Sequence, residues 1–96
     1  MSKDVINENI RLLILRILHD MAGMTANESI IDDSLDAWGV SISRDLVCSH
    51  LSWLEEQGLI TLREVYDCKV AMLTGRGEDV ATGQTRVPGV KRPRAK

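Results

Sequence analysis

Residues 41–62 constrain the fold more than any other stretch, because they specify a helix, both of its ends and the strand that follows it. Ser43 suits the N-cap position, since its hydroxyl can accept a hydrogen bond from the free N–H groups of the first turn. The apolar face of this helix repeats at steps of four and three residues, at Val47, Leu51 and Leu54. Gly58 supplies the left-handed conformation that ends many helices, and apolar residues follow it without a linker. The stretch therefore predicts a capped helix that leads directly into a strand.

Two helices are predicted before this stretch, over residues 5–21 and 25–38. In the first, an apolar stripe recurs at helical spacing, and Leu12 and Leu15 fall outside it. Two interpretations of these leucines stay open, extra core or a homodimer surface on the first helix. For the second helix, Thr25 with Glu28 has the spacing of a capping box, and Asn27 is an alternative N-cap.

Two strands and a short helix are predicted after Gly58. Alternating apolar residues over 59–65 and 69–73 indicate a half-buried β-hairpin with its tip at residues 66–68. Thr74 then caps a fourth helix over residues 75–82. The elements together predict one domain that spans residues 1–83 and is mainly α with a small β-hairpin.

The last stretch, residues 84–96, differs from the rest in composition and in charge. It contains two prolines and no apolar periodicity, which predicts a basic tail that is disordered in isolation. Residues 1–84 hold fourteen acidic and seven basic side chains, a net charge of −7, whereas residues 85–96 hold five basic side chains and no acid. A nucleic acid is therefore expected to be repelled by most of the body and attracted by the tail.

The central stretch resembles the recognition-helix segment of ArsR-, MarR- and PadR-like regulators. The shared pattern is Ser-x-x-x-Val-x-x-His-Leu-x-x-Leu-x-x-x-Gly-Leu-Ile, which begins here at Ser43. Leu73-Thr74-Gly75-Arg76-Gly77 is similar to the junction that closes the wing in many winged-helix families. The resemblance implies a winged helix-turn-helix fold, in which the helix after Ser43 is the recognition helix and the hairpin is the wing.

Nearly the whole chain resembles a small protein family of Mu-like phages and prophages. The residues that carry this likeness are Ser43-Arg44-Asp45, Trp53-Leu54-Glu55-Glu56-Gln57-Gly58-Leu59, Thr74-Gly75-Arg76-Gly77 and Val87-Pro88-Gly89-Val90-Lys91-Arg92-Pro93. The resemblance implies phage origin and a winged-helix fold. It implies no particular activity, so a phage-structural role is as admissible as a regulatory one.

The leading functional hypothesis is a DNA-binding protein, a transcriptional regulator that binds double-stranded DNA as a dimer. Arg44 could contact a guanine edge or a phosphate, and nearby serines could bind phosphates. The candidate DNA-binding residues are Ser41, Ser43, Arg44, Ser49 and Ser52 around the recognition helix, Arg63 and Lys69 in the wing, and Lys91, Arg92 and Arg94 in the tail. The alternative is a phage protein-protein interaction module on the same scaffold, which the acidic body favours.

Other chemistry has little support in the sequence. No nucleophile elbow, phosphate loop or carboxylate pair is present, so neither an enzyme nor a cofactor is expected. Cys48 and Cys68 form no cluster of metal-ligand spacing, and Cys48 is interpreted as a small neutral filler rather than an oxidation target. His50 is expected to pack against the second helix, and His19 to interact with the end of the first. Without a signal or membrane-spanning segment, the expected location is the cytoplasm of a bacterial host.

Overall fold

The computed structural model describes residues 2–94, which form four helices and a three-stranded antiparallel sheet. The elements in chain order are α1 (Lys3–Asp20), β1 (Thr25–Asn27), α2 (Glu28–Ala37), α3 (Arg44–Glu56), β2 (Ile60–Val65), β3 (Cys68–Leu73) and α4 (Gly75–Ala81). A 3₁₀ turn, Ala22–Met24, connects α1 to β1. The strand order is β1-β3-β2, so β3 is central. This is a winged helix-turn-helix fold, as predicted, with one strand more than the hairpin alone.

Helix α1 supplies the largest share of the aliphatic core. Its buried residues are Ile10, Leu12, Leu13, Ile14, Leu15, Ile17 and Leu18. Leu12 exposes 3 % of its surface and Leu15 none, because α4, α2 and the sheet pack around the helix. Both leucines are therefore core residues, and the interpretation of them as a homodimer surface is wrong.

The start of α2 corrects one prediction and confirms its alternative. Asn27 is the N-cap, since its side chain accepts a hydrogen bond of 2.8 Å from the backbone N–H of Ile30. Thr25 does not form the predicted capping box. It lies in β1, where residues 25–27 pair with β3 and Ala26 is buried. Pairing with β3 gives the backbone groups of residues 25–27 hydrogen-bond partners outside the helix.

The hairpin of β2 and β3 forms the wing. Val65 pairs with Cys68, so the connecting loop has only two residues. Tyr66 and Asp67 both have positive φ, at 50° and 62°, which is the backbone of the tight turns that suit the twist of a hairpin. The predicted tip of three residues was therefore one residue too long, since Cys68 belongs to β3.

Residues 84–94 are packed on the domain, which differs from the disorder predicted for residues 84–96. Val87 and Val90 expose 4 % and 7 % of their surfaces and belong to the core. The backbone N–H of Lys91 donates a hydrogen bond of 3.1 Å to the carbonyl of Glu8 in α1. The two valines are separated by a proline and a glycine, so their burial follows no helix or strand period. Residues 95 and 96 lie outside the described residues.

Along the described chain, no helix combines the length and the apolar character that crossing a membrane requires.

Candidate nucleic-acid interface

Helix α3 is held with one face in the core and the other in solvent. The hydroxyl of Ser43 caps it, accepting a hydrogen bond of 3.1 Å from the backbone N–H of Leu46, as the sequence predicted. Leu51 and Leu54 are fully buried. The exposed positions are Ser41 and Ser43 before the helix and Arg44, Asp45, Ser49 and Ser52 within it. The fold therefore brings the predicted recognition-helix residues together on one accessible surface.

The charge of Arg44 is already balanced by an acid of the same domain. Its Nε lies 3.4 Å from Oδ2 of Asp32 in α2. The side chain of Asp32 is only 19 % exposed, whereas that of Arg44 is 47 % exposed. An ion pair this open to water contributes about 0 to 1 kcal/mol, so a phosphate could compete for the guanidinium. Asp45 adds an exposed negative charge beside it.

The wing holds the next two candidate cations, Arg63 and Lys69. Arg63 is exposed in β2. The Nζ of Lys69 lies 3.8 Å from Oε1 of Glu64, its partner residue across the hairpin. The phenol of Tyr66 at the tip is 99 % exposed. The wing is thus accessible, but Lys69, one of its two predicted phosphate contacts, is already ion-paired with Glu64.

A buried carboxylate behind α3 ties the helix to the wing. Glu28, the first residue of α2, is 7 % exposed. Its Oε1 accepts a hydrogen bond of 2.7 Å from the backbone N–H of Lys69, and its Oε2 accepts one of 2.9 Å from Cys48 Sγ. The Cys48 hydrogen bond, followed by the one from Lys69, lowers the pKa of Glu28, against the effect of burial. One ionised carboxylate therefore fixes α2, α3 and β3 together.

The thiol of Cys48 is the other half of this contact. Burial, together with the hydrogen bond to Glu28, raises its pKa to about 11. A thiol with that pKa stays protonated near neutral pH and is a poor nucleophile. The thiol is therefore neutral, but it is more than the small filler that the sequence suggested, because it donates a hydrogen bond to Glu28. Cys68 is also a free thiol, and the described residues contain no group of three His, Cys, Asp or Glu side chains placed to hold a metal ion.

His50 is buried in the domain, and its hydrogen bond is to a side chain of α1. Its side chain is 5 % exposed, and its Nδ1 accepts a hydrogen bond of 3.3 Å from Nε of Arg11. Burial, followed by the positive charge of Arg11, lowers the pKa of His50. The imidazole is therefore neutral at neutral pH and serves as a hydrogen-bond acceptor inside the domain. His19, at the end of α1, lies 3.3 Å from Glu78 Oε2 of α4.

Arg11 joins α1, α3 and the C-terminal segment. Its guanidinium stacks on the ring of Trp53, and its Nη1 donates a hydrogen bond of 3.0 Å to the carbonyl of Gly89. The sequence showed Arg11 only as an interruption of an apolar run. Arg16 interrupts the same run and is exposed, so the interruption alone did not show that Arg11 has internal partners.

The last three predicted contacts, Lys91, Arg92 and Arg94, are exposed along α1, on a surface that Arg16 extends. Lys91 also borders a hollow of about 400 Å³ with Ser41, just before α3. The structure therefore connects the tail cations to the turn that precedes the recognition helix. Arg16 was not among the predicted contacts, because its own position in α1 gives no functional signal without the packed tail.

Solved structures with the same fold include RosR of H. salinarum. That structure superposes with a TM-score of 0.65 at 19 % identity over 75 % of this chain and 64 % of the RosR chain, just under two thirds of its length. A complex structure named hsRosR-S1 superposes with a TM-score of 0.67 at 18 % identity, over 83 % of this chain and 70 % of that chain. At this level of identity the likeness establishes the winged-helix fold alone.

Two sequence relatives are much closer. An uncharacterized protein of Haemophilus influenzae (strain KW20 / Rd) is 55 % identical over 75 residues, which are 77 % of this chain and 72 % of that protein. The uncharacterized protein gp26 of Escherichia phage Mu is 50 % identical over 94 residues, 98 % of this chain and 97 % of the phage protein. No protein-family model matches the sequence. The chain belongs to the same winged-helix family as gp26 of Escherichia phage Mu.

Proposed function

We propose that this protein binds double-stranded DNA through α3 and acts as a transcriptional regulator in the programme of a Mu-like phage or prophage. The observation that supports it best is the placement of α3, whose accessible face presents Arg44, Ser49 and Ser52 with the wing beside it. In helix-turn-helix proteins, the first residues of such a helix contact base edges in the major groove. Arg44 is the first residue of α3 and would be the main base-reading side chain.

In this proposal the serines position the helix and the remaining cations bind phosphates. Ser41, Ser43, Ser49 and Ser52 are all exposed on the side of α3 that would meet the duplex. Arg63 and Lys69 would contact the backbone from the wing, and Lys91 would do so beside Ser41. Binding as a homodimer would place two α3 helices in successive major grooves, although the surface for it would not include Leu12 or Leu15.

Binding to a labelled random-sequence duplex of about 20 base pairs, titrated with salt from about 20 to 200 mM, tests the proposal. Wild-type protein is expected to bind, and Arg44→Gln to bind about tenfold more weakly, the loss of one good side-chain contact to a base or phosphate. Arg86→Gln, which removes the same charge at an exposed position outside α3, is the matched control. Equal losses for the two variants would mean that Arg44 contributes only its charge, and would count against a direct contact from α3.

A protein-interaction module is the second candidate, because the cations near α3 are paired with acids. Arg44 lies against Asp32 and Lys69 against Glu64, while Asp45, Glu55 and Glu56 are exposed. A surface of this balance suits a polar protein partner better than phosphates. Absence of duplex binding at the lowest salt, with the fold intact by circular dichroism, would favour this second function.

A further inference from the structure

We propose that a groove along α1 binds the phosphate backbone of a nucleic acid, in addition to the contact proposed for α3. We name it the α1 groove and define it by its four cationic side chains, Arg16, Lys91, Arg92 and Arg94. The inference rests on the proposed function in its choice of ligand, but it assigns most of the binding affinity to these four cations and not to α3.

The groove is built by the packed C-terminal segment. The backbone hydrogen bond from Lys91 to the carbonyl of Glu8 anchors its first residue on α1, and Arg94 borders the same groove as Arg16. The cavity has a volume of about 260 Å³. Its floor is Leu12, Leu13 and Asn9, and no acidic side chain lines it.

The charges in the α1 groove are not neutralised by the domain. Within residues 2–94, no ion pair shorter than 4.0 Å involves Arg16, Lys91, Arg92 or Arg94. Two of the three cations beside α3 differ, since Arg44 pairs with Asp32 and Lys69 with Glu64. With residues 1–84 at a net charge of −7, a polyanion that approaches the protein is steered to this groove.

The length of the groove suits a run of backbone phosphates. From Glu8 to Arg16 the helix rises about 12 Å, at about 1.5 Å per residue. One strand of a duplex carries a phosphate for about every 3.4 Å of axis, so about three or four phosphates would face the four cations. Three of these cations are arginines, whose planar guanidinium groups bind phosphate with two hydrogen bonds.

A nucleic acid fits this groove better than an acidic protein surface does. Apart from the four cations, the lining is two leucines, one proline and one asparagine, so it offers almost nothing with which to orient a specific peptide. A row of like charges without other polar groups is what non-specific backbone binding requires.

Trp38 provides a reporter at one end of the groove. Arg16 and Arg94 also border a neighbouring hollow of about 480 Å³, together with Trp38, His19 and Asp20. Trp38 is 60 % exposed, whereas Trp53 lies half-buried beneath Arg11. A strand in the α1 groove is therefore expected to change the fluorescence of Trp38, by contact with the indole or by displacing its water.

The experiment measures binding of a fluorescein-labelled random duplex, and of a single strand of the same length, across the salt range used above. The triple variant Arg16→Gln, Arg92→Gln, Arg94→Gln is compared with wild type and with the matched control Arg86→Gln. Arg44→Gln is measured beside them as the test of contact through α3. Because each released counterion contributes about 0.9 to the slope of log K against log salt, the triple variant should flatten the duplex slope by about 2.7. Arg86→Gln should change the slope of log K against log salt by less than about 1. Tryptophan emission should change on binding in wild type and not in Trp38→Phe.

The outcomes separate this proposal from the function of α3. Loss of slope in the triple variant supports the α1 groove. Weaker binding by Arg44→Gln in the same series supports α3 as a second contact, whereas Arg44→Gln close to wild type removes α3 as a contact. A normal slope in the triple variant, with weak binding by Arg44→Gln, overturns the groove and leaves DNA binding through α3. Wild-type protein that binds neither oligonucleotide at about 20 mM salt overturns both, and an acidic protein then becomes the occupant to test. Thermal unfolding of the triple variant, expected to match wild type because all three side chains are exposed, excludes misfolding.

Discussion

The guanidinium carbon of Arg11 lies 4.0 Å from the centroid of the Trp53 ring, so a cation of α1 is stacked on an indole of α3. The same guanidinium donates to His50 in α3 and to the carbonyl of Gly89. Three parts of the chain that are far apart in sequence therefore meet at one side chain. Its removal affects all of them.

Arg11→Ala is expected to lower the free energy of unfolding by about 2 to 3 kcal/mol. It removes a cation–π contact worth about 1 kcal/mol and leaves the Nδ1 of His50 without its donor. Urea denaturation measures the change. Arg16→Ala, on the same helix but exposed, is the control and should cost less than about 0.5 kcal/mol. Similar losses for both would show that the stacked geometry adds no stability.

Gly89→Ala is expected to loosen the C-terminal segment and to cost about 2 kcal/mol or more. Gly89 has φ of +97°, and a Cβ there would lie 2.6 Å from Cζ2 of Trp53, so both the backbone and the ring contact are violated. The Lys91 amide donates a hydrogen bond to the carbonyl of Glu8 in the wild type, and its hydrogen exchange should be faster in Gly89→Ala.

Gly75→Ala is the matched control for this substitution. Gly75 begins α4 without positive φ, and nothing lies within 4 Å of the position its Cβ would take. The free energy of unfolding of Gly75→Ala should stay within about 0.5 kcal/mol of wild type or rise slightly. Unchanged exchange at Lys91 in Gly89→Ala would mean that the segment does not depend on this close approach.

Protein stability is expected to fall as the pH drops below about 6.5, through His50. Burial and Arg11 hold its folded pKa below the ordinary value of 6.5, so the unfolded chain binds this proton more readily. The contribution is complete above pH 6.5 and is lost as the pH falls from there through the folded pKa. Urea titrations between pH 7.5 and 5 measure it, with His50→Gln as the comparison. A pH dependence that is the same in His50→Gln would assign the effect to another group.

Glu28→Gln is expected to destabilise the domain and to make Cys48 more reactive. The amide cannot accept hydrogen bonds from both the Cys48 thiol and the Lys69 N–H without placing its NH₂ against one of them, which costs about 1 to 3 kcal/mol. Loss of the carboxylate should also lower the pKa of Cys48 from about 11. In a Cys68→Ser background, iodoacetamide alkylation near pH 8.5 reports this thiol alone, and it should speed up several-fold.

Glu56→Gln removes the same charge from an exposed position of α3 and serves as the control for Cys48. Its alkylation rate should equal that of the Cys68→Ser parent. An equally slow rate in Glu28→Gln would show that burial alone protects the thiol.

The parts of the fold that follow a local rule could be predicted from the sequence. Ser43, its apolar repeat and Gly58 define α3 within one residue, because capping, periodicity and the left-handed stop are all local. Strand β1 was missed because three residues carry no period, and only pairing with β3, more than 40 positions away, makes them extended. The packing of Val87 and Val90 was missed for the same reason.

The exposure of the candidate DNA-binding residues could be predicted from the sequence, but the charges around them could not, and their role stays a prediction. The sequence indicated Arg44 and Lys69 as cations that face a ligand, and both are exposed or half-exposed on the expected surface. It could not show that Asp32 and Glu64 would lie beside them, since both pairs depend on how elements pack. Arg16 lies on a cationic surface only because residues 91–94 pack beside it. The spacing of residues in α1 does not predict where that segment lies.

Strand β1 also affects the tendency of the protein to aggregate through its sheet. Strand β3 lies between β1 and β2, so its backbone donors and acceptors are paired on both sides where β1 runs beside it. Beyond β1, the N–H of Lys69 donates to the carboxylate of Glu28. The two edges of the sheet are the outer side of β2, where Arg63 and Glu64 are exposed, and the outer side of the three-residue β1. Charged side chains on an edge strand discourage pairing with another molecule. A three-residue strand thus protects the wing from polymerising edge to edge.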